Sequence, residues 1–366
     1  MNIAFILPDL RGGGAEKVCI NLATNWISKG HSVTFVLMNK RGEYLKNVPK
    51  KIKIISLKKK KIRQLFFPLF NFFKSHRPDI TLAQMWPLTS ITVLSWLLSF
   101  KIGKLFLVDH VHLSTSVEKE ILFPKKIFKL IVKTTYLFAD KIVVVSNGVK
   151  KDLVEISSNL KNKIKVIYNP LVKKKNFNFK KDIYWKQKIW GNNSENCILS
   201  IGSLKLQKDH INLITAFSLL KSYQKFKLII VGNGPLRKEL NLLVRSKRLN
   251  NFIRFVGFKT NLKKYYQTAD LFVSSSKWEG FSNVIAEALG YGLPVVSTDC
   301  KSGPSEILKK GKFGILVPVE DPKKLSAAIN KSLKIKHNRK LLIKRSLDFE
   351  ISKISNQYLR LINYEK

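Results

Sequence analysis

The 366-residue chain is predicted to be an α/β protein made of two doubly wound halves. Three observations predict this. Strand-like apolar runs alternate with helical patterns along the chain, as they do in βαβ units around a parallel sheet. The alternation stops at "KVIYNPLVKKKNFNFKKDIYWKQKIWGNNSEN", a polar, lysine-rich stretch of the kind that joins domains, and then resumes. The length fits two domains at roughly 100–200 residues each. The expected boundaries are 1–170 for the first half, 171–195 for a linker and 196–345 for the second half. A final helix, 346–366, is expected to return to the first half.

The first unit is the clearest. "IAFILP" reads as a strand, "DLRGGGAEK" as a glycine loop, and "VCINLATNWISKG" as an amphipathic helix stopped at Gly30. "HSVTFVLM" is the next strand. In "RQLFFPLFNFFKSHRPDI", Ile62, Leu65, Phe66, Leu69, Phe70 and Phe73 keep helical spacing and are assigned to the core. Phe67 and Phe72 fall off that stripe. The longest apolar run, "PLTSITVLSWLLSF", is too short to cross a bilayer and reads as a buried helix. Strands "DITLAQM", "KLFLVD" and "KIVVVS" complete this half. The second half opens with "CILSIGSLKLQKDHINLITAF" and continues through "KLIIVGNGPLRKELNLLV", "IRFVGF", "LFVSSS", "NVIAEALGYG", "LPVVST" and "GILVPV". "LLIKRSLDFEISKISNQYLRLI" reads as helix.

Composition narrows the classes. The three cysteines, Cys19, Cys197 and Cys300, are far apart, which argues against a disulfide framework or a zinc site and for free thiols in a reducing compartment. The N-terminal segment reads as a strand and shows no signal-peptide pattern. The formal net charge is +43, of which residues 1–170 carry +19 and the remainder +24. Charge spread so evenly fits a lysine-rich genome as well as attraction to a polyanion. No nucleic-acid-binding module accompanies it, so nucleic acid is not an expected partner. One segment exceeds the background: residues 40–63 hold eleven Lys/Arg against Glu43 alone, with aromatics directly after.

Several loops stand where a parallel sheet binds ligands, between a strand and the next helix. "GGG" at 12–14 can present backbone N–H groups to an anion, although a tight turn explains two of these glycines as well. Its spacing is not the dinucleotide fingerprint, which weakens the rival reading of an NAD-dependent sugar-modifying oxidoreductase or epimerase. "GSLKLQKDH" places Lys208 near a helix start, where it can meet a phosphate. "GNGP" at 232–235 is either a nucleotide approach or a turn. In "SSSKWEGFSNVIAEALGYGLPVVSTDC", Glu279 lies in a loop and Glu287 lies two turns into the following helix. Two carboxylates flanking a helix N-terminus suit a ligand with hydroxyls at both ends and phosphate between, as in a nucleotide-sugar.

"EGFSNVIAEALGYGLPVV" resembles the signature of retaining GT-B glycosyltransferases of family four: Glu, seven residues, Glu, then Ala-Leu/Met-x-x-Gly-x-Pro-Val-Val. "GGGAEKV", "YNP", "GSLKLQKD", "VGNGPLRKEL", "STDCKSGPSEIL" and "GILVP" extend the resemblance in order over nearly the whole chain. It is similar in particular to bacterial enzymes that build lipopolysaccharide, capsule or lipid-linked oligosaccharides. The resemblance implies a GT-B fold, two Rossmann-like domains facing a cleft. It implies that Glu287 holds the donor ribose and Glu279 the donor sugar. Gly280, Phe281, Ser282 and Asn283 would contact sugar or phosphate, together with Gly13 and Gly14, and Lys208 would neutralise the diphosphate. His110, at the end of "LFLVDH", would grip a sugar hydroxyl, with His112 as the alternative. Where the family usually carries an arginine this chain has Ser203, so Lys205 would have to replace it or the site would rely on Lys208.

The reaction expected from this resemblance is transfer of a hexose or N-acetylhexosamine from a nucleotide-sugar, a UDP-sugar by the resemblance, to a lipid-linked or other saccharide acceptor. No metal or other cofactor is expected. The basic run 40–63, with Phe67 and Phe72, predicts an anionic membrane surface as a partner. The expected location is cytoplasmic, peripheral on the inner face of the plasma membrane.

Overall fold

The computed structural model describes residues 1–171, 183–191 and 196–363, so most of the expected linker lies outside the described residues. The chain divides into two compact units, Met1–Leu171 with Ile351–Lys366, and Val172–Glu350. In the first, strands and helices follow in the order β1 (Asn2–Leu7), α1 (Gly14–Ile27), β2 (Ser32–Leu37), β3 (Lys53–Ser56), α2 (Phe66–His76), β4 (Ile80–Gln84), α3 (Leu88–Leu98), β5 (Lys104–Asp109), α4 (Leu113–Ser116), α5 (Lys125–Thr135), β6 (Lys141–Val144), α6 (Asn147–Ile156) and β7 (Ile164–Val166). The second unit runs α7 (Ile183–Trp190), β8 (Asn196–Ile201), α8 (His210–Ser218), β9 (Phe226–Val231), α9 (Arg237–Ser246), β10 (Ile253–Phe255), α10 (Lys263–Thr268), β11 (Leu271–Ser274), α11 (Asn283–Gly290), β12 (Val295–Thr298), α12 (Pro304–Ile307), β13 (Ile315–Val317), α13 (Pro322–Lys334) and α14 (Arg339–Ser346).

Both sheets are parallel. Their orders are β3-β2-β1-β4-β5-β6-β7 and β10-β9-β8-β11-β12-β13. The central strands are buried on both faces, so they read as continuous apolar runs: Ile3 to Leu7 of β1 are all buried, as is every residue of β11 and β12. Strand order reverses between β1 and β4 in one sheet and between β8 and β11 in the other. Loops leaving the carboxyl ends of these strands flank a topological switch point, where doubly wound sheets bind ligands.

The structure departs from the sequence reading in several places. Phe72 is buried, not off the core stripe, while Phe67 is 67% exposed. The cause is a 3₁₀ turn at Ile62–Leu65 before α2. A 3₁₀ turn advances about 120° per residue, so a stripe counted from Ile62 at α-helical spacing loses phase. Counted from Leu65, the buried set is Leu65, Leu69, Phe72 and Phe73. The basic run contains a strand, β3, paired in parallel with β2. Residues 183–190, placed in the linker from sequence, form α7 of the second unit. The C-terminal helical pattern is two helices. It breaks at a 3₁₀ turn, Leu347–Phe349, and an extended Glu350. Beyond the break, the helix Ile351–Asn363 buries Ile351, Ile354, Tyr358 and Ile362. It lies on α1, with Tyr358 edge-on to Trp26 at 6.1 Å and Ser355 donating to Asn25 at 2.6 Å.

Candidate functional site

In the second unit, the loops after β8 and β11 meet at the switch point and are stitched together. Lys277 N donates to Gln207 O at 2.8 Å, Gln207 Nε2 to Trp278 O at 3.0 Å, and Ser275 Oγ to Lys208 O at 2.8 Å. This stitching brings Lys208 and Glu279 together across 71 positions of sequence. Lys208 Nζ donates to Glu279 Oε1 at 2.5 Å, and Ser276 Oγ donates to the same oxygen at 2.8 Å. The carboxylate is almost fully buried, and the lysine side chain is 19% exposed. A charge-assisted bond in so dry a place is stronger than a surface pair and holds both heads at fixed positions.

The turn after Glu279 is built for close approach. Ser282 precedes α11 with φ 73°, and its buried Oγ finds no protein partner. Gly303, at φ +92°, packs against this turn. A Cβ there would come 2.2 Å from Phe281 O, so only glycine fits. Glu287 lies in α11 with its side chain drawn toward α10: Tyr266 OH donates to Glu287 Oε2 at 3.1 Å, and the Tyr266 ring stacks on Tyr291 at 5.1 Å. The rest of α11 from Ile285 to Gly290 is buried, so a carboxylate here is costly unless it serves a ligand or a partner.

The other predicted residues in this unit have plainer positions. Ser203 lies in the loop after β8, and Lys205 is exposed, with no ion pair among the described residues. The "GNGP" segment packs as a turn. Leu204 N donates to Asn233 O at 2.9 Å and Leu236 N to Leu204 O at 3.0 Å. Sequence reasoning missed three residues. Ser276 and Tyr266 hold the two glutamates. His210 opens α8 fully buried, and burial with the Lys208 charge nearby pushes it down to about 4, so it is a neutral imidazole. Ser276 is visible in "SSS" three residues before Glu279, but Tyr266 comes from a separate helix and carries no local signal.

In the first unit, Gly13 caps α1 and Gly14 begins it, so both stand at a helix N-terminus beside the β1 end. His110 follows β5 and is 8% exposed. Its Nε2 lies 2.8 Å from Gln84 Oε1, an acceptor, so Nε2 carries the hydrogen and Nδ1 is left as a buried lone pair with no protein partner. Burial lowers His110 to about 4, which keeps the ring neutral. His112 is instead drawn to Asp152, Nδ1 to Oδ1 at 3.3 Å.

Beside His110, Asp109 is wholly buried and accepts from Tyr136 OH at 3.2 Å. Burial raises its carboxyl to about 7, the Tyr136 hydrogen bond opposes the rise, and Asp152 adds to it. The folded value lies above the unfolded one near 4, so the stabilising contribution is complete below about pH 4 and is lost as pH rises through 7. Asp109→Asn removes this loss. Its unfolding free energy, from denaturant titrations, should gain on that of wild type between pH 5 and pH 8, by on the order of 2–4 kcal/mol. A difference that stays constant with pH would refute the assignment.

Among the described residues, no group of three or more His, Cys, Asp or Glu is placed to hold a metal ion. The three cysteines are free and buried.

Two family profiles match the chain in succession: Glycosyltransferase Family 4 over residues 12–172, and Glycosyl transferases group 1 over residues 183–348. The chain belongs to glycosyltransferase family 4. This family-4 glycosyltransferase is 32% identical over 270 residues to an uncharacterised glycosyltransferase of Methanocaldococcus jannaschii, covering 65% of this chain and 66% of that one. It is 27% identical over 378 residues to the GalNAc-alpha-(1->4)-GalNAc-alpha-(1->3)-diNAcBac-PP-undecaprenol alpha-1,4-N-acetyl-D-galactosaminyltransferase of Campylobacter jejuni, covering 99% of this chain and 98% of that one. HepE of Anabaena, solved with UDP and glucose, superposes with a TM-score of 0.83 at 18% identity and full coverage of both chains. The fold of this family-4 glycosyltransferase is GT-B, with a parallel Rossmann-like sheet in each unit.

Proposed function

We propose that the protein is a retaining glycosyltransferase that moves a hexose or N-acetylhexosamine from a UDP-sugar to a lipid-linked saccharide in the assembly of a bacterial cell-surface glycan. The observation that carries this reading is the Lys208–Glu279 pair at 2.5 Å, with Glu287 further along the helix that starts beside it. Each member of the pair is the other's ligand until the donor enters. The diphosphate then takes Lys208, and the sugar hydroxyls take Glu279. Glu287 accepts from the vicinal ribose hydroxyls, and the N-terminus of α11 faces the phosphate charge. The missing arginine at Ser203 leaves Lys208 as the main cation, with Lys205 as its exposed neighbour.

In the reaction the bond from the anomeric carbon to the diphosphate oxygen breaks and the acceptor oxygen bonds to that carbon on the same face. The acceptor proton passes to the departing phosphate oxygen. The protein supplies position and charge stabilisation rather than a covalent intermediate. His110 Nδ1 is a neutral acceptor suited to a sugar hydroxyl. Family membership supersedes the oxidoreductase alternative. The lipid-linked acceptor is supported by the name of the Campylobacter relative, and the nucleotide by the UDP bound to HepE.

Among the described residues no helix is long and apolar enough to cross a membrane. A peripheral position on the inner face of the plasma membrane belongs to the same proposal, supported by the basic run 40–63. The test is incubation with radiolabelled UDP-sugars and either lipid-linked or soluble saccharides, followed by anomeric analysis of the product. Inverted product, or no turnover of any nucleotide-sugar, would overturn the reading. The reaction should also proceed undiminished in EDTA. Loss of activity restored by Mg²⁺ or Mn²⁺ would show that the charge on the diphosphate is carried by a metal instead of Lys208.

A further inference from the structure

The basic run 40–63 offers charge but little apolar surface, since Phe72 is buried and Phe67 alone of that pair is exposed. The apolar surface lies elsewhere in the same unit. Eighteen large hydrophobic side chains are exposed among the described residues, and ten of them fall between Phe67 and Phe138. Five of these form one continuous feature: Ile121, Leu122 and Phe123 in the turn before α5, then Ile127 and Leu130 on the helix.

Helix α5 has two apolar faces. Phe128, Val132 and Thr135 point into the unit. Phe123, Ile127 and Leu130 follow helical spacing on the outside, at 36%, 50% and 60% exposure, and Leu122 is 80% exposed. Lys125, Lys126, Lys129 and Lys133 form one row along a single side of the outer stripe, Ile131 and Thr134 lie along its other edge, and no acidic residue occurs between Ile121 and Phe138. Glu118 and Glu120 precede the turn in sequence. Phe123 stands edge-on to Trp86 at 5.6 Å, which ties the turn to the core. Beside it opens a cavity of about 370 Å³ walled by Val117, Leu122, Phe123 and Pro124, with Ser114, Glu118 and Lys125 as its polar lining.

A helix with an apolar outer stripe bordered by a lysine row is the pattern of an interfacial helix, with acyl chains below the stripe and anionic head groups along the lysine side. We propose that α5 and the turn 121–123 form the surface by which this protein docks on an anionic lipid bilayer. The proposal rests on the lipid-linked acceptor reading for its purpose and on charge complementarity for its occupant. An acidic protein surface would satisfy the lysines alone, whereas a bilayer also takes up the exposed Leu122, Ile127 and Leu130. The basic run 40–63 then adds attraction at a distance rather than insertion.

The full chain is mixed with phosphatidylcholine vesicles, with and without phosphatidylglycerol, and sedimented. Wild type should partition onto the anionic vesicles and release as salt rises. Ile127→Gln with Leu130→Gln should weaken partition at least about tenfold at any salt. Replacing the four flanking lysines by glutamine should abolish the preference for phosphatidylglycerol. Leu242→Gln, equally exposed on α9 of the other unit, should change nothing. UDP-induced thermal shift should be the same in every variant, so a failed donor site and a failed docking surface give separate results. The proposal is overturned if wild type stays in the supernatant at low salt, or if the double glutamine variant binds like wild type. It is equally overturned if that variant changes the oligomeric state in gel filtration and leaves vesicle binding intact, since the face would then join two copies of the chain.

Discussion

Glu279→Ala is expected to lower kcat by about 10²–10³-fold while the protein stays folded. The carboxylate sits 5% exposed, held by Ser276 and Lys208, so it is preorganised rather than recruited from solvent. Its loss removes a group directed at the reacting sugar, and interactions made with the reacting centre appear in kcat more than in KM. It also strands Lys208, and breaking one side of a buried pair costs roughly 3–5 kcal/mol when burial is complete. Lys208 is partly exposed, so the stability loss should fall below that range. Glu279→Gln separates the two effects, since it keeps the shape and an acceptor oxygen. Combining Lys208→Ala with Glu279→Ala should cost less than the sum of the two, because each single change already disables the shared pair. Strict additivity in kcat/KM, or a Glu279 variant that raises KM alone, would move the carboxylate to ground-state binding.

Glu287→Ala is expected to raise the donor KM roughly tenfold to a hundredfold with a smaller change in kcat. Hydrogen bonds to a charged group contribute about 1.5–3 kcal/mol, and the ribose does not take part in bond breaking. The comparison is with Tyr266→Phe. That change removes the hydroxyl 3.1 Å from Glu287 Oε2 but leaves the carboxylate in place. It should affect donor affinity far less than Glu287→Ala. Nucleotide titrations by thermal shift with UDP, uridine and inorganic diphosphate locate the loss. A variant that weakens diphosphate but not uridine would place Glu287 at the wrong end of the donor.

The local layout of the candidate site was legible in the chain, whereas the roles of its residues came from the family resemblance. Two glutamates, a glycine turn and a helix pattern occupy consecutive residues, so the βα unit around α11 could be read from spacing alone. The parallel sheets were legible because strands buried on both faces leave uninterrupted apolar runs. Lys208 and Glu279 were each named as site residues, but their contact was not, because it depends on two loops 71 positions apart being stitched by backbone hydrogen bonds. Tyr266 and Gln84 were invisible for the same reason: each reaches its partner from a neighbouring strand or helix. The α2 error came from phase, since one 3₁₀ turn rotates every later residue and exchanges Phe72 with the surface. The strand β3 was hidden by lysines whose side chains dominate the reading while the backbone pairs with β2.

The helix Ile351–Asn363 gives the protein an uneven modularity. The chain leaves the first unit after Leu171 and comes back at Ile351, so the second unit is an insertion within the first. The inserted unit is continuous in sequence and carries its own core. The host is not, because Trp26 and Asn25 on α1 depend on Tyr358 and Ser355, more than three hundred positions later. The first unit is therefore complete only once Ile351–Asn363 is in place on α1. Removing the helix Ile351–Asn363 should destabilise the N-terminal half, whose α1 loses the contacts at Trp26 and Asn25.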